Sequence, residues 1–193
     1  VKTTENKIKD MLVKRYNLHE LHSYVWAYND ELKAIDIPVE DNVKLANATN
    51  PNIETLRNSI VPTQLCQIKS NLSFSNDFGI FEIGRVVNGL DENGLCIENK
   101  KLAITLYSKT RNVKDIYFEI KHKALTFEKA EPTHSYEHPV NLYSVCLDGR
   151  NIGTIGIVHP TVNKKIDKKA AIVFAEIDVN AYANTDAAPI VYD

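Results

Sequence analysis

The chain has 193 residues, 44% hydrophobic and 25% charged, with 23 Lys and Arg against 25 Asp and Glu. That length fits one domain, or one domain with a subdomain, and that composition supports a buried core and argues against a disordered chain. A net charge of −2 lacks the basic excess of an autonomous nucleic-acid binder, and no apolar run approaches the ~18 residues of a membrane span.

Thr4 is placed to cap a helix running to about Tyr16, with Ile8, Met11 and Leu12 along one stripe. Asn17 follows, a residue that tolerates the left-handed conformation at a helix end. Residues 21–28 (LHSYVWAY), rich in aromatic and β-branched side chains, read as a strand. NVKLANATNPN gives a short strand and a turn, and Pro62 opens a helix that aligns Leu65, Ile68 and Leu72. Residues 79–87 (GIFEIGRVV) form a buried strand that reverses through NGLDENG into residues 101–107, an antiparallel hairpin with a long connection. Asp115 caps a third helix through about Phe127, and EPTHSYEHP is a loop. Residues 141–147 form a strand, Asp148-Gly149 turns it, and NIGTIGIV returns alongside. Pro160 opens a short helix, and residues 171–179 (AIVFAEIDV) close the sheet. This order predicts an α+β fold with a largely antiparallel sheet: one domain over 1–180 and a linker-like tail over 181–193. The chain opens on VKTTENK without a Met, as expected of a piece of something longer.

Several side chains invite a chemical reading. Arg57 suits a phosphate or carboxylate clasp, or else an ion pair or carbonyl cap within the fold. Glu82 and Glu176 are strand carboxylates of the type used in acid–base pairs, although nothing in the sequence places them together. His134 and His138 stand four apart with Glu137 and Cys146 nearby, but a metal site needs three or four converging ligands. Gly149-Arg150 and Gly153/Gly156 have the glycine of a phosphate loop, and equally that of hairpin turns. His159-Pro160 reads as a helix entry. Cys66, Cys96 and Cys146 are odd in number and widely spaced, which points to the reducing cytoplasm rather than to disulfides or a zinc ribbon.

The ordered set NLHELHSYVW, KLANATNPNIETLRNSIVPTQLCQIKSN, GIFEIGRVV, IYFEIKHKA, LDGRNIGTIGIVHP and VFAEIDV resembles the β-subunit family of bacterial phenylalanine–tRNA ligases, in its catalytic-like core module. Two departures are Asn17, where the family usually has Gly, and SYEHPVNLYS, which lacks its H-P-G-R. The resemblance implies a class II aminoacyl-tRNA synthetase-like antiparallel sheet flanked by helices. In that class an Arg and a Glu on a strand–loop–strand motif hold ATP and the amino acid, and a further Arg on a glycine-rich strand–helix holds the γ-phosphate. Here GRVV runs into Asn88-Gly89-Leu90-Asp91-Glu92, and Gly153 and Gly156 lead only to His159-Pro160. Arg57, Glu82 and Arg85 therefore stand as vestigial motif positions, with no catalytic, cofactor-binding or metal residue expected in this module. ATP and Mg²⁺ belong to the parent complex.

By the same resemblance the chain is a non-catalytic structural module of a cytoplasmic α2β2 ligase. It supports the catalytic alpha subunit, while tRNA is met through other modules and no membrane is involved. Class II synthetases pair through a helix and the strand after it, so Ile8, Met11, Leu12, Tyr24 and Trp26 are candidate partner contacts. The Ile8/Met11/Leu12 stripe reads equally well as core. The alternatives are a self-sufficient adenylating domain and a tRNA-binding module, and the near-neutral charge counts against the latter.

Overall fold

The computed structural model describes residues 3–39, 42–112 and 125–183. Helix α1 (Thr4–Tyr16) is capped by Thr3, one residue earlier than expected, whose hydroxyl accepts the Asn6 N–H at 3.3 Å. Asn17 ends the helix at φ 53° and donates its N–H to the Val13 carbonyl. Strand β1 (His19–Glu20) then pairs in parallel with β2 (Asp77–Leu90).

The strand expected over 21–28 does not form. The Leu21 N–H still reaches the Phe81 carbonyl at 2.8 Å. At Ser23 the chain turns instead to the Glu82 carboxylate, with the hydroxyl at 2.6 Å and the N–H at 3.3 Å. An ionised acceptor makes a stronger bond than a carbonyl, so a side chain displaces the ladder. What remains is one bridge between Trp26 and Leu56, followed by a short helix α2 (Asn29–Lys33). The short strand expected in NVKLANATNPN is likewise a single bridge, Lys44 to Thr55, beside a 3-10 turn at Pro51–Ile53.

Helix α3 (Val61–Ser70) carries Pro62 in its first turn. Strands β2 and β3 (Cys96–Ser108) outrun the expected hairpin, and the long connection contracts to residues 91–95. There the Asp91 carboxylate accepts the N–H groups of Asn93 and Leu95, and Gly94 takes φ 77°. Most of the helix expected from Asp115 lies outside the described residues, but Phe127, its expected end, sits in strand β4 (Thr126–Lys129). Strands β5 (Glu137–Leu147) and β6 (Arg150–Val158) meet through Asp148 and Gly149, both at positive φ, the turn that matches strand twist. Helix α4 (Pro160–Asp167), strand β7 (Ala171–Asp178) and helix α5 (Val179–Ala183) complete the described chain.

The sheet order is β1-β2-β3-β7-β6-β5-β4, antiparallel except for the first pair. Strand β7 therefore does not close the sheet but lies at its centre. Its Ile172, Val173, Phe174 and Ala175 are buried without alternation, as a strand covered on both faces requires. Helices α2, α3 and α4 cover one face, where Ile60, Leu65, Ile68 and Ile166 pack with Ile80, Tyr107 and Phe174. On the opposite face Leu12 is buried with Phe81, Ile104, Leu106 and Val173, and Ile8 and Met11 pack partly buried against them.

Candidate functional site

Two buried carboxylates organise the face beneath α3. Arg57 follows the Trp26–Leu56 bridge, and its backbone is pinned between the Val25 carbonyl and the Val87 N–H, both at 2.8 Å. Its side chain, 4% exposed, meets the 3% exposed Glu82 with Nη2 2.9 Å from Oε1. Nη1 donates to the Ser23 hydroxyl at 2.6 Å, and Nε donates to the Arg85 carbonyl at 3.1 Å. Ser23 bonds the same carboxylate, which closes a ring of three side chains. Gly84 makes room for this ring, since a Cβ there would lie 2.7 Å from Arg57 Nη2. Arg85 itself points elsewhere and forms a solvent-exposed pair with Glu98 at 2.9 Å.

Glu176 on β7 is the second centre. Its Oε2 accepts the Ile60 N–H at 2.7 Å and the Ser59 hydroxyl at 3.0 Å, and Lys101 approaches Oε1 at 3.2 Å. Helix α3 has no side-chain cap of its own, so a carboxylate from the sheet serves its positive N-terminal end. Tyr136 completes the cluster, 2.9 Å from the Ser59 hydroxyl. One turn into α3, Gln64 donates to the Ala103 carbonyl and accepts the Thr105 hydroxyl, which fastens the helix to the sheet.

The register places Glu82 and Glu176 in one cross-strand row, with Ala103 directly opposite both. Two strand spacings put them roughly 10 Å apart. Each lies against its own cation, and at that separation the two carboxylates do not touch. The site thus neutralises its charges internally, and its two cations, Arg57 and Lys101, each lie against a carboxylate.

The other candidates separate. The Glu137 carboxylate accepts the N–H groups of Thr133 and His134, whereas Cys146 is a buried free thiol on β5. His138 Nδ1 accepts two backbone N–H groups at 3.0 Å; burial, then His159 and Lys129, hold its pKa below the usual 6.5. His159 caps α4 by accepting the Thr161 N–H. Among the described residues no group of three His, Cys, Asp or Glu is placed to hold a metal. Burial, with Glu31 nearby, pushes the Cys66 thiol up to about 12, so it is inert. Of the candidate partner contacts, Tyr24 is 65% exposed and stacks on the half-buried Trp26 at 4.8 Å.

Ser23, Ser59, Gln64, Lys101 and Tyr136 were not singled out from the sequence. Gln64 carried a signal, a polar residue four before Ile68 on an apolar helical stripe. Ser23 and Tyr136 carried none, because their partners are 59 and 77 residues away.

A family model described as the phenylalanyl tRNA synthetase beta chain CLM domain matches residues 1–179. This chain belongs to that family. The CLM domain here is 28% identical to the phenylalanine–tRNA ligase beta subunit of Bacillus subtilis, over 86% of this chain and 23% of that protein. It is also 28% identical to that of Pyrococcus horikoshii, over 91% of this chain and 33% of that protein. A third relative, from Leptospira borgpetersenii, is 24% identical over 90% of this chain and 23% of its own length. The chain thus spans a quarter to a third of these curated relatives. No helix among the described residues of the CLM domain is long and apolar enough to cross a membrane.

Proposed function

We propose that this CLM domain is a non-catalytic scaffold that supports the catalytic alpha subunit of a cytoplasmic α2β2 phenylalanine–tRNA ligase. In this reading the parent complex uses ATP and Mg²⁺ to attach phenylalanine to tRNA, and this module holds neither. The supporting observation is the fate of Arg57. Adenylation develops negative charge on the α-phosphate and needs preorganised cations aimed at it. The Arg57 guanidinium is buried, and its three nitrogens are engaged by Glu82, Ser23 and the Arg85 carbonyl. Helix α3 lies over the same face, held by Glu176 and by Gln64. Tyr24 with Trp26, and the exposed side of α1 around Val13, are the surfaces offered to the alpha subunit.

Co-expression of the full-length beta chain with its alpha subunit tests this. The expected result is a co-purifying complex that aminoacylates tRNA and keeps its turnover number when Arg57 and Glu82 are replaced together by Met and Gln. A fall in turnover of more than about a hundredfold, roughly 2.7 kcal/mol of transition-state stabilisation, with the complex intact would place the pair in the chemistry and overturn the scaffold reading.

A further inference from the structure

We infer that the lysine-rich end of α4, with the turn packed beside it, is a phosphate-contacting surface for RNA; this rests on the role proposed above. Helix α4 buries Val162 and Ile166 and leaves Lys164 and Lys165 exposed, and exposed Lys168 and Lys169 follow its last residue. Lys165 approaches Asp36 at 3.5 Å, and Lys69 donates to the Ala34 carbonyl at 2.8 Å. These contacts bring Lys33 and Lys69 to the same end of the helical layer. Lys109, the residue after β3, joins them 3.1 Å from Asp167. Against these lysines stand Asp36 and Asp167, each paired, with Asp30 and Glu31 on α2.

A lysine in the last turn complements a helix dipole; α2 and α3 each have one there, and α4 has two, Lys164 and Lys165. That accounts for Lys33, Lys69, Lys164 and Lys165 and leaves Lys168 and Lys169, which follow α4, and Lys109 outside it. The three carbonyl ends weakly oppose an anion, but an ammonium carries a full charge against about half of one at a helix terminus. The patch is sharply local in a chain whose net charge is −2. No large apolar side chain is exposed on α4 or on residues 34–36, so the surface lacks what an interfacial membrane helix inserts. A polyphosphate backbone needs only point charges, and the family of this chain is named for a tRNA substrate.

The test uses full-length beta chain assembled with its alpha subunit, comparing Lys164→Glu/Lys168→Glu with Lys44→Glu/Arg150→Glu. Both pairs change the charge equally, and the second lies on other parts of the surface, in the 43–57 segment and at the β5–β6 turn. The Lys164/Lys168 variant is expected to raise the KM for tRNA about tenfold, with kcat and the KM values for ATP and phenylalanine unchanged. Its log–log salt slope for tRNA should fall by about 1.5, two lost phosphate contacts. Equal KM and slope in the two variants overturns the inference, as does a change confined to sedimentation with anionic phosphatidylserine vesicles. If the wild-type complex fails to assemble or to aminoacylate, the proposed function fails. Filter binding of tRNA to the two full-length variants then still decides the lysine surface by the same difference.

Discussion

Arg57 shows how a single side chain decides between chemistry and architecture. Desolvating a guanidinium costs several kcal/mol, and the attraction of a partner offsets that only when geometry and remaining donors are satisfied. Here Glu82, Ser23 and the Arg85 carbonyl supply all three nitrogens with acceptors. Glu82→Gln keeps the shape and deletes the charge, leaving a buried cation facing a neutral amide. Its expected cost is about 3 kcal/mol of unfolding free energy, read as a lower urea midpoint at unchanged slope. Replacing Arg57 by Met in the same chain should recover much of that loss, because the stranded charge goes with it. A Glu82→Gln loss below roughly 0.5 kcal/mol, the scale of a surface pair, would contradict burial of the ion pair. The sequence showed Glu82 and Arg85 flanking Ile83-Gly84, which suggests that the two pair with each other. The strand period of two sends them to opposite faces, and Glu82 finds Arg57 while Arg85 finds Glu98.

Among the elements, those fixed by local chemistry were legible. Asn17, Pro62, Asp148-Gly149 and Pro160 each stop or start an element through their own backbone preferences. The segment 21–28 was not, because its aromatic and β-branched residues signal a strand that a carboxylate 59 positions away diverts at Ser23. The end of α4 is likewise held from afar. Asp167 accepts the Tyr107 hydroxyl at 2.9 Å and pairs with Lys109. Burial pushes the Asp167 pKa up, but the Lys169 N–H, Tyr107 and Lys109 outweigh it and bring it below the ordinary 3.8. A depressed folded pKa contributes stability above the unfolded value and loses it as pH falls through the folded one. Asp167→Asn should therefore destabilise most near pH 7, with the gap to the wild type closing as pH falls below 3.8 and the native carboxyl protonates. Urea melts across that range measure it, and a gap independent of pH would remove the ionised clasp from the account. Tyr107 acts at the other limb: burial, then the Asp167 bond, raise its pKa above 10.0, so its contribution holds below that value and is lost as pH rises.

For the whole molecule, the α+β class and antiparallel sheet were readable from alternating apolar runs and turns, while strand order was not. Hairpin neighbours follow from short connections, but the central place of β7 depends on pairing with β3 and β6 from far along the chain. The buried run Ile172–Ala175, apolar at four successive positions, was the available sign of a strand covered on both faces. That central position also brings Glu176 into the row of Glu82 across Ala103, so the global order creates the candidate site. On the scaffold reading proposed above, the face beneath α3, where Arg57 and Lys101 are each held by a carboxylate, is not a seat for a triphosphate. Thermal unfolding with ATP, Mg²⁺ and phenylalanine puts this to the test. A ligand at a hundred times its Kd adds about 2.7 kcal/mol, which for a domain of this size moves Tm by roughly 5–10 °C. With ATP and phenylalanine each at about 3 mM, roughly a hundred times a KM in the middle of the ordinary enzyme range of about 1 μM to 1 mM, the shift for this module is expected to stay under about 1 °C. A rise of several degrees that saturates with ATP, and that Arg57→Met abolishes while the variant remains folded, would mean that the guanidinium leaves Glu82 to hold phosphate. In that case the adenylating alternative takes the place of the scaffold.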